Sequence, residues 1–113
     1  MTREEKIIHK VESSLPIIVF PEREILTKLK GDFEDESINL KTELEVHKIY
    51  DMRNEGGLTC EVRPKGLKSE DMKSVFLCSI THFRVKRGEP FFQELEKYRI
   101  KRIRALNRQN RRR

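Results

Sequence analysis

Apolar residues fall along this chain in short blocks whose spacing shifts from helical to extended and back. Ile7, Ile8, Val11 and Leu15 recur at helical spacing and define one face. Thr2 and Glu5 stand at capping-box spacing ahead of them, so each side chain can satisfy an orphan N–H of the first turn. Ser13-Ser14 and Pro16 end this helix, because proline cannot continue the ladder and restricts the residue before it. Ile17 to Phe20 then reads as a short buried strand closed by Pro21. Glu24 to Lys30 fits a strand or a helix, since Ile25, Thr27 and Leu29 alternate only loosely with charges before Gly31 breaks the segment.

The middle of the chain reads as β-structure. Ile38 to Asp51 is expected to be a long strand, with Leu40, Leu44, Val46 and Ile49 among Lys41, Glu43, Glu45 and Lys48. Asn54-Glu55-Gly56-Gly57 is a turn signal, because glycine takes positive φ without steric cost. Leu58 to Arg63 alternates cleanly, with Leu58, Cys60 and Val62 on one face. Pro64 and Gly66 end it, and Lys65 to Lys73 is a polar excursion. Ser74 to Cys78 is the next strand, Ser79-Ile80-Thr81 a tight turn and His82 to Val85 a last short strand.

Gly88-Glu89-Pro90 opens a final helix, with proline in the first turn it favours. Phe91, Phe92, Leu95, Tyr98, Ile103, Ala105 and Leu106 share one broad face, and Lys97, Lys101, Arg104 and Arg108 lie opposite. Nothing apolar follows Leu106, so 107–113 is expected to be a frayed basic tail. The pattern as a whole predicts a single α+β domain over 1–106. Its N-terminal helix covers 2–14. A small, strongly bent antiparallel sheet of four or five strands covers about 16–86, and the amphipathic basic helix flanks it on the other side.

Composition narrows this picture. Only 35% of residues are apolar and 39% are charged, without a single Trp, so the core must be small and the charged surface large. The longest apolar run, Leu15 to Phe20, falls far short of the roughly 18 residues that span a bilayer. The N-terminus lacks the apolar segment of a signal peptide. A cytoplasmic protein without membrane association is therefore expected, with Cys60 and Cys78 reduced. The five glycines are scattered and form no phosphate loop.

Charge carries the strongest functional signal. The net charge of +6 is unevenly placed. Nine of the 25 Lys and Arg lie at Lys97, Arg99, Lys101, Arg102, Arg104, Arg108, Arg111, Arg112 and Arg113, with no acid among them; the other 96 residues hold 16 basic and 19 acidic side chains. A mildly acidic body thus bears a cationic extension, which points to a polyanionic partner. Cations that neutralise phosphates release counterions and bind in a salt-dependent way. Arginine-rich segments that order on binding recur in RNA recognition, which favours RNA over DNA. Tyr98, Phe91 or Phe92 could stack on a base where exposed. Arg99 and Arg102 project near the apolar face. This implies that the helix leaves the body after Tyr98 or that the two reach an acidic partner.

The rhythm of Thr42 to Val85 resembles an SH3-like small barrel: a long strand, a Gly-bearing turn, a second strand, a loop, a third strand, a one-turn break and a closing strand. Val75 to Val85 resembles the phrase that supplies the strand, 3₁₀ turn and closing strand of such barrels. Thr2 to Ile7, Pro21 to Ile25 and Glu43 to Val46 are similar to segments of the small cyanobacterial calcium-binding proteins. That resemblance implies a barrel whose acidic surface binds calcium, although this chain is basic overall and lacks tryptophan.

Other chemistry is less well supported. Asp32, Glu34, Glu36 and Glu43 fall at positions 1, 3, 5 and 12 of a calcium-loop spacing, with Asp35 among them, yet Ser37 stands where the sharp turn needs glycine. A solvated acidic loop, open to pairing with the basic tail, is the simpler reading. Cys78 and His82, with Cys60 and His47, offer zinc-ligand types, but Cys60 alternates with core residues and no CxxC pair occurs. A small ribonuclease using His82, Arg63, Arg84 or Tyr98 is a further class. The sequence thus predicts a non-enzymatic binding protein without cofactor or metal, acting on nucleic acid or a ribonucleoprotein through its C-terminal helix. The alternatives are an adaptor docking that helix on an acidic protein surface, and a calcium-binding barrel. Oligomeric state is not legible.

Overall fold

Thr2 caps the first helix as its spacing predicts: its hydroxyl accepts the Glu5 amide at 3.1 Å. The computed structural model describes residues 2–53, 56–66 and 76–111. Helix α1 (Arg3–Val11) buries Ile7 and Val11, and a 3₁₀ turn at Glu12–Ser14 ends it ahead of a cis Leu15–Pro16 bond. Strand β1 (Ile17–Pro21) alternates, with Ile17, Val19 and Pro21 buried.

The ambiguous segment after β1 is helical. A 3₁₀ turn at Arg23–Ile25 leads into α2 (Leu26–Asp32). Ile25 and Leu29, four residues apart, are the buried pair, so packing selects the helical period over the strand alternative.

The long strand expected from Ile38 is shortened to β2 (Leu44–Asp51). Ile38 is buried, but the residues after it turn back on themselves. The Lys41 amide donates to Asn39 Oδ1 and the Asn39 amide to Thr42 Oγ1, each at 2.8 Å. Such local side-chain bonds compete with a strand ladder for backbone groups. β3 (Leu58–Pro64), β4 (Phe76–Ser79) and β5 (Phe83–Val85) complete the sheet, with a 3₁₀ turn at Ile80–His82 between the last two. The Asn54-Glu55 half of the predicted turn, the Leu67 to Lys73 part of the polar excursion, and Ser74 and Val75 lie outside the described residues.

The sheet runs β4-β3-β2-β1-β5, every neighbour antiparallel. An irregularity between Val46 and Lys48 shifts the register of β2 against β3. A bulge of this kind bends a strand and increases its twist. The sheet curls into a half-barrel around Val19, Leu44, Val46, Leu58, Cys60, Val62 and Phe83, all fully buried. The expected α+β class and bent antiparallel sheet are therefore present.

The last helix, α3 (Phe92–Arg111), starts two residues after Pro90 rather than at it. Phe91 has φ of 62°, outside the right-handed helical region, so the helix begins beyond it. Leu95 and Tyr98 are buried and Phe91, Phe92 and Ile103 half-buried, but Ala105 and Leu106 of the predicted apolar face are exposed. Burial against the body ends at Ile103, and every side chain from Arg104 to Gln109 is exposed. Hydrogen exchange should therefore divide α3. Amides of Leu95 to Ile103 are expected to be protected, and those beyond Leu106 to exchange within the range of frayed termini. Equal protection along the helix would show that the overhang is docked. No helix among the described residues is long and apolar enough to cross a membrane.

Candidate polyanion-binding site

The predicted basic residues do not act as one group. Lys97, Lys101, Arg104 and Arg108 recur every three or four positions and form one stripe along α3, all exposed. Arg99 and Arg102 project elsewhere. Arg99 meets the Glu96 carboxylate on its own helix, with Nε at 3.0 Å, and both side chains are largely covered. Glu96 also accepts the Val85 amide at 2.7 Å, so this pair fastens α3 to the edge strand β5. Arg102 packs against the glycine that enters β3: a Cβ at Gly57 would stand 3.1 Å from its Nε. Neither expected alternative for these two arginines holds. The helix does not leave the body at Tyr98, and the arginines face their own domain. Arg111 is the last helical residue, while Arg112 and Arg113 lie outside the described residues.

Tyr98 is a structural residue. It is 2% exposed, and its hydroxyl accepts the Leu58 amide at 3.2 Å. The Arg3 guanidinium lies over its ring at 4.9 Å. The base-stacking role suggested by its position next to the cations is excluded by this burial. Burial raises the Tyr98 phenol above the ordinary tyrosine range, against the opposing bond from Leu58. A phenol whose folded pKa is raised contributes stability that is complete below about pH 10 and is lost as pH rises through the folded value. Melting temperature should therefore fall above about pH 10, and Tyr98→Phe should make that fall shallower. Identical alkaline profiles would show that Tyr98 titrates normally.

The contact between Arg3 and Tyr98 brings a second set of cations to α3. Arg3, Lys6 and Lys10, at spacings of three and four, form a stripe along α1. Arg3 lies near Tyr98 while Lys10 Nζ meets Glu94 Oε2 at 3.3 Å, so the two helices run in opposite directions past each other. A groove in two adjoining parts follows this pair, one part between the helices and the other continuing past Arg3 along α3. One, of about 260 Å³, is bordered by Lys6, Lys10, Glu94, Lys97, Tyr98 and Lys101 among others. The other, of about 710 Å³, is bordered by Arg3, Lys101, Arg104, Ala105, Asn107 and Arg108. Among the described residues seven cations thus converge, and Glu94 is the one acid on the walls. None of Lys97, Lys101, Arg104 and Arg108 has an ion-pair partner among the described residues. Protein surfaces usually intersperse both signs, so a wall with seven cations and one acid among the described residues is a departure.

Arg3, Lys6 and Lys10 escaped the sequence reading, which followed net charge. Acids at Glu4, Glu5 and Glu12 cancel them in any running sum. Their spacing of three and four was the available signal.

The other candidates do not assemble. Asp35 Oδ1 accepts both the amide and the hydroxyl of Ser37, and these bonds hold its carboxyl below the usual range. Glu43, the last position of the calcium-like spacing, bridges Lys86 and Lys65 instead, and their hydrogen bonds likewise lower its pKa. His47 meets Glu45 and His82 meets Glu24, each at 3.2 Å. Cys60 lies in the core, where burial pushes its thiol up to about 12. No three His, Cys, Asp or Glu side chains converge as a metal site among the described residues. Of the residues considered for a ribonuclease, Arg84 Nε stands 2.8 Å from Glu22 and Tyr98 is buried at Leu58. Comparison of the chain with protein-family models, curated proteins and solved structures finds no match.

Proposed function

We propose that this is a non-enzymatic binding protein that holds nucleic acid, free or within a ribonucleoprotein, in the groove between α1 and α3. The supporting observation is the convergence of Arg3, Lys6 and Lys10 with Lys97, Lys101, Arg104 and Arg108 around one depression whose larger part has no acid on its walls among the described residues. α1 and the seated part of α3 hold most of these charges close together, so the repulsion among them is built into the fold and is relieved when an anion enters. We also read the curled sheet as an SH3-like barrel, supported by its strand order and by the 3₁₀ turn between β4 and β5. That fold carries no function by itself. A cytoplasmic setting fits two cysteines that face each other across β3 and β4 and remain free thiols.

Binding should weaken steeply as salt is raised, because each neutralised phosphate releases counterion. Deleting residues 107–113 removes Arg108 and the three terminal arginines. The truncated protein should bind an oligonucleotide roughly tenfold more weakly at low salt, with a flatter salt dependence. Fluorescence anisotropy over a salt series measures both. Unchanged affinity and slope would remove the tail from the site. Binding to a partner protein that survives nuclease treatment, with no affinity for oligonucleotides, would replace this reading with an adaptor.

A further inference from the structure

We propose that the groove reads phosphate alone: it takes one strand by about four consecutive backbone phosphates and makes no base contact. This rests on the nucleic-acid reading above and adds the part of the ligand that is recognised. The larger half of the groove is walled by Arg3, Lys101, Arg104, Ala105, Asn107 and Arg108, without an aromatic ring. The smaller half contains one, Tyr98, and it offers no stacking face. Its ring is covered by Arg3, its hydroxyl is bonded to Leu58, and it is 2% exposed.

The remaining aromatic rings are occupied elsewhere. Phe91 and Phe92 pack against the core. Arg84 lies over Phe20, and Phe33 packs against Phe76. Tyr50 is exposed but bonds Glu61, a carboxylate unsuited to a phosphate path.

Proteins that hold single strands by their bases do so on exposed aromatic platforms. This groove has the electrostatic half of that device and lacks the stacking half. The length of the ligand follows from α3. Four cations from Lys97 to Arg108, without ion-pair partners among the described residues, cover about 16 Å at 1.5 Å per residue, with Arg3 and Lys6 nearby on α1. Cations of both helices line the smaller part, so a flexible single backbone can be met from two sides there in a way a stiff duplex cannot. The preference for RNA drawn from the arginine-rich tail has no counterpart here.

The test uses the full chain and four labelled 12-mers: dT, rU, an abasic phosphodiester strand, and a blunt DNA duplex. The three single strands should bind within about threefold of one another, with a log–log salt slope near −3 for four phosphates at roughly −0.7 each. The duplex should bind no more tightly than dT. A tenfold or greater loss on the abasic strand would overturn the inference, since each stacked base contributes roughly fivefold or more. A tenfold preference for rU over dT, or tighter binding of the duplex, would also overturn it. In those cases the nucleic-acid reading stands. Failure of all four ligands to bind would defeat both.

Discussion

The double variant Lys101→Glu/Arg104→Glu is expected to bind a single-stranded oligonucleotide about 100-fold more weakly than the natural protein at low salt, while unfolding at nearly the same temperature. Both side chains are exposed, point into the groove and have no ion-pair partner in the described structure. Reversal therefore breaks no internal bond. Each change removes one attraction and adds one repulsion. With a unit pair in water worth about 1 kcal/mol at 4 Å, each reversal amounts to roughly tenfold or more in affinity. The companion variant Arg99→Gln separates position from charge. It removes a cation only two residues before Lys101 in sequence, but one that pairs with Glu96 on its own helix. It should leave affinity within a few-fold and lower stability instead, because Glu96 loses its partner beside Val85. Equal losses of affinity in the two proteins would mean that net charge, not the groove, governs binding.

Gly57→Ala should lower stability by about 2–3 kcal/mol, a fall of roughly 10 °C in melting temperature. Two causes add. Gly57 has φ of +62°, where an L-residue is strained by about 1 kcal/mol or more. The new methyl would also sit 2.3 Å from the Tyr98 hydroxyl, which must then leave the Leu58 amide, at about 1 kcal/mol for the lost bond. Gly66→Ala isolates the first cause. Its φ is +87°, and a Cβ there meets nothing within 4 Å, so it should cost only the backbone strain. Adding Tyr98→Phe to Gly57→Ala should cost less than the two single changes combined, because the methyl then has no hydroxyl to displace. Equal effects of Gly57→Ala and Gly66→Ala would show that Tyr98 does not press on this turn. Since Tyr98 also seats α3, the same substitution should weaken polyanion binding by displacing one wall of the groove.

These two expectations mark where sequence reading succeeded and where it stopped. The exposed stripe on α3 was legible because helical spacing alone assigns Lys97, Lys101, Arg104 and Arg108 to one side. The capping of α1 by Thr2 and the alternation of Leu58, Cys60 and Val62 were legible for the same reason. Local periodicity determines which way a side chain points from its own element. It failed at Ile38 to Glu43, where Asn39 and Thr42 bond the backbone and delay the strand to Leu44. It left Glu24 to Lys30 undecided, because a short segment fits both periods until the core selects one.

By itself, the sequence determined a charged α+β domain with a bent antiparallel sheet and a C-terminal helix carrying unbalanced positive charge. It did not determine which surface lies beside which. Arg3 and Arg108 are separated by most of the chain, yet they border the same depression. Arg99 and Arg102 sit among the free cations in sequence, yet the body claims one through Glu96 and the other through the turn at Gly57. Tyr98 looks available beside the arginines until Leu58 is folded against it. Each of these facts depends on contacts between residues distant along the chain, and only the packed tertiary structure selects those contacts. The basic helix was written in the sequence; the groove, and the choice of which cations face it, came from burying Leu95 and Tyr98 against the sheet.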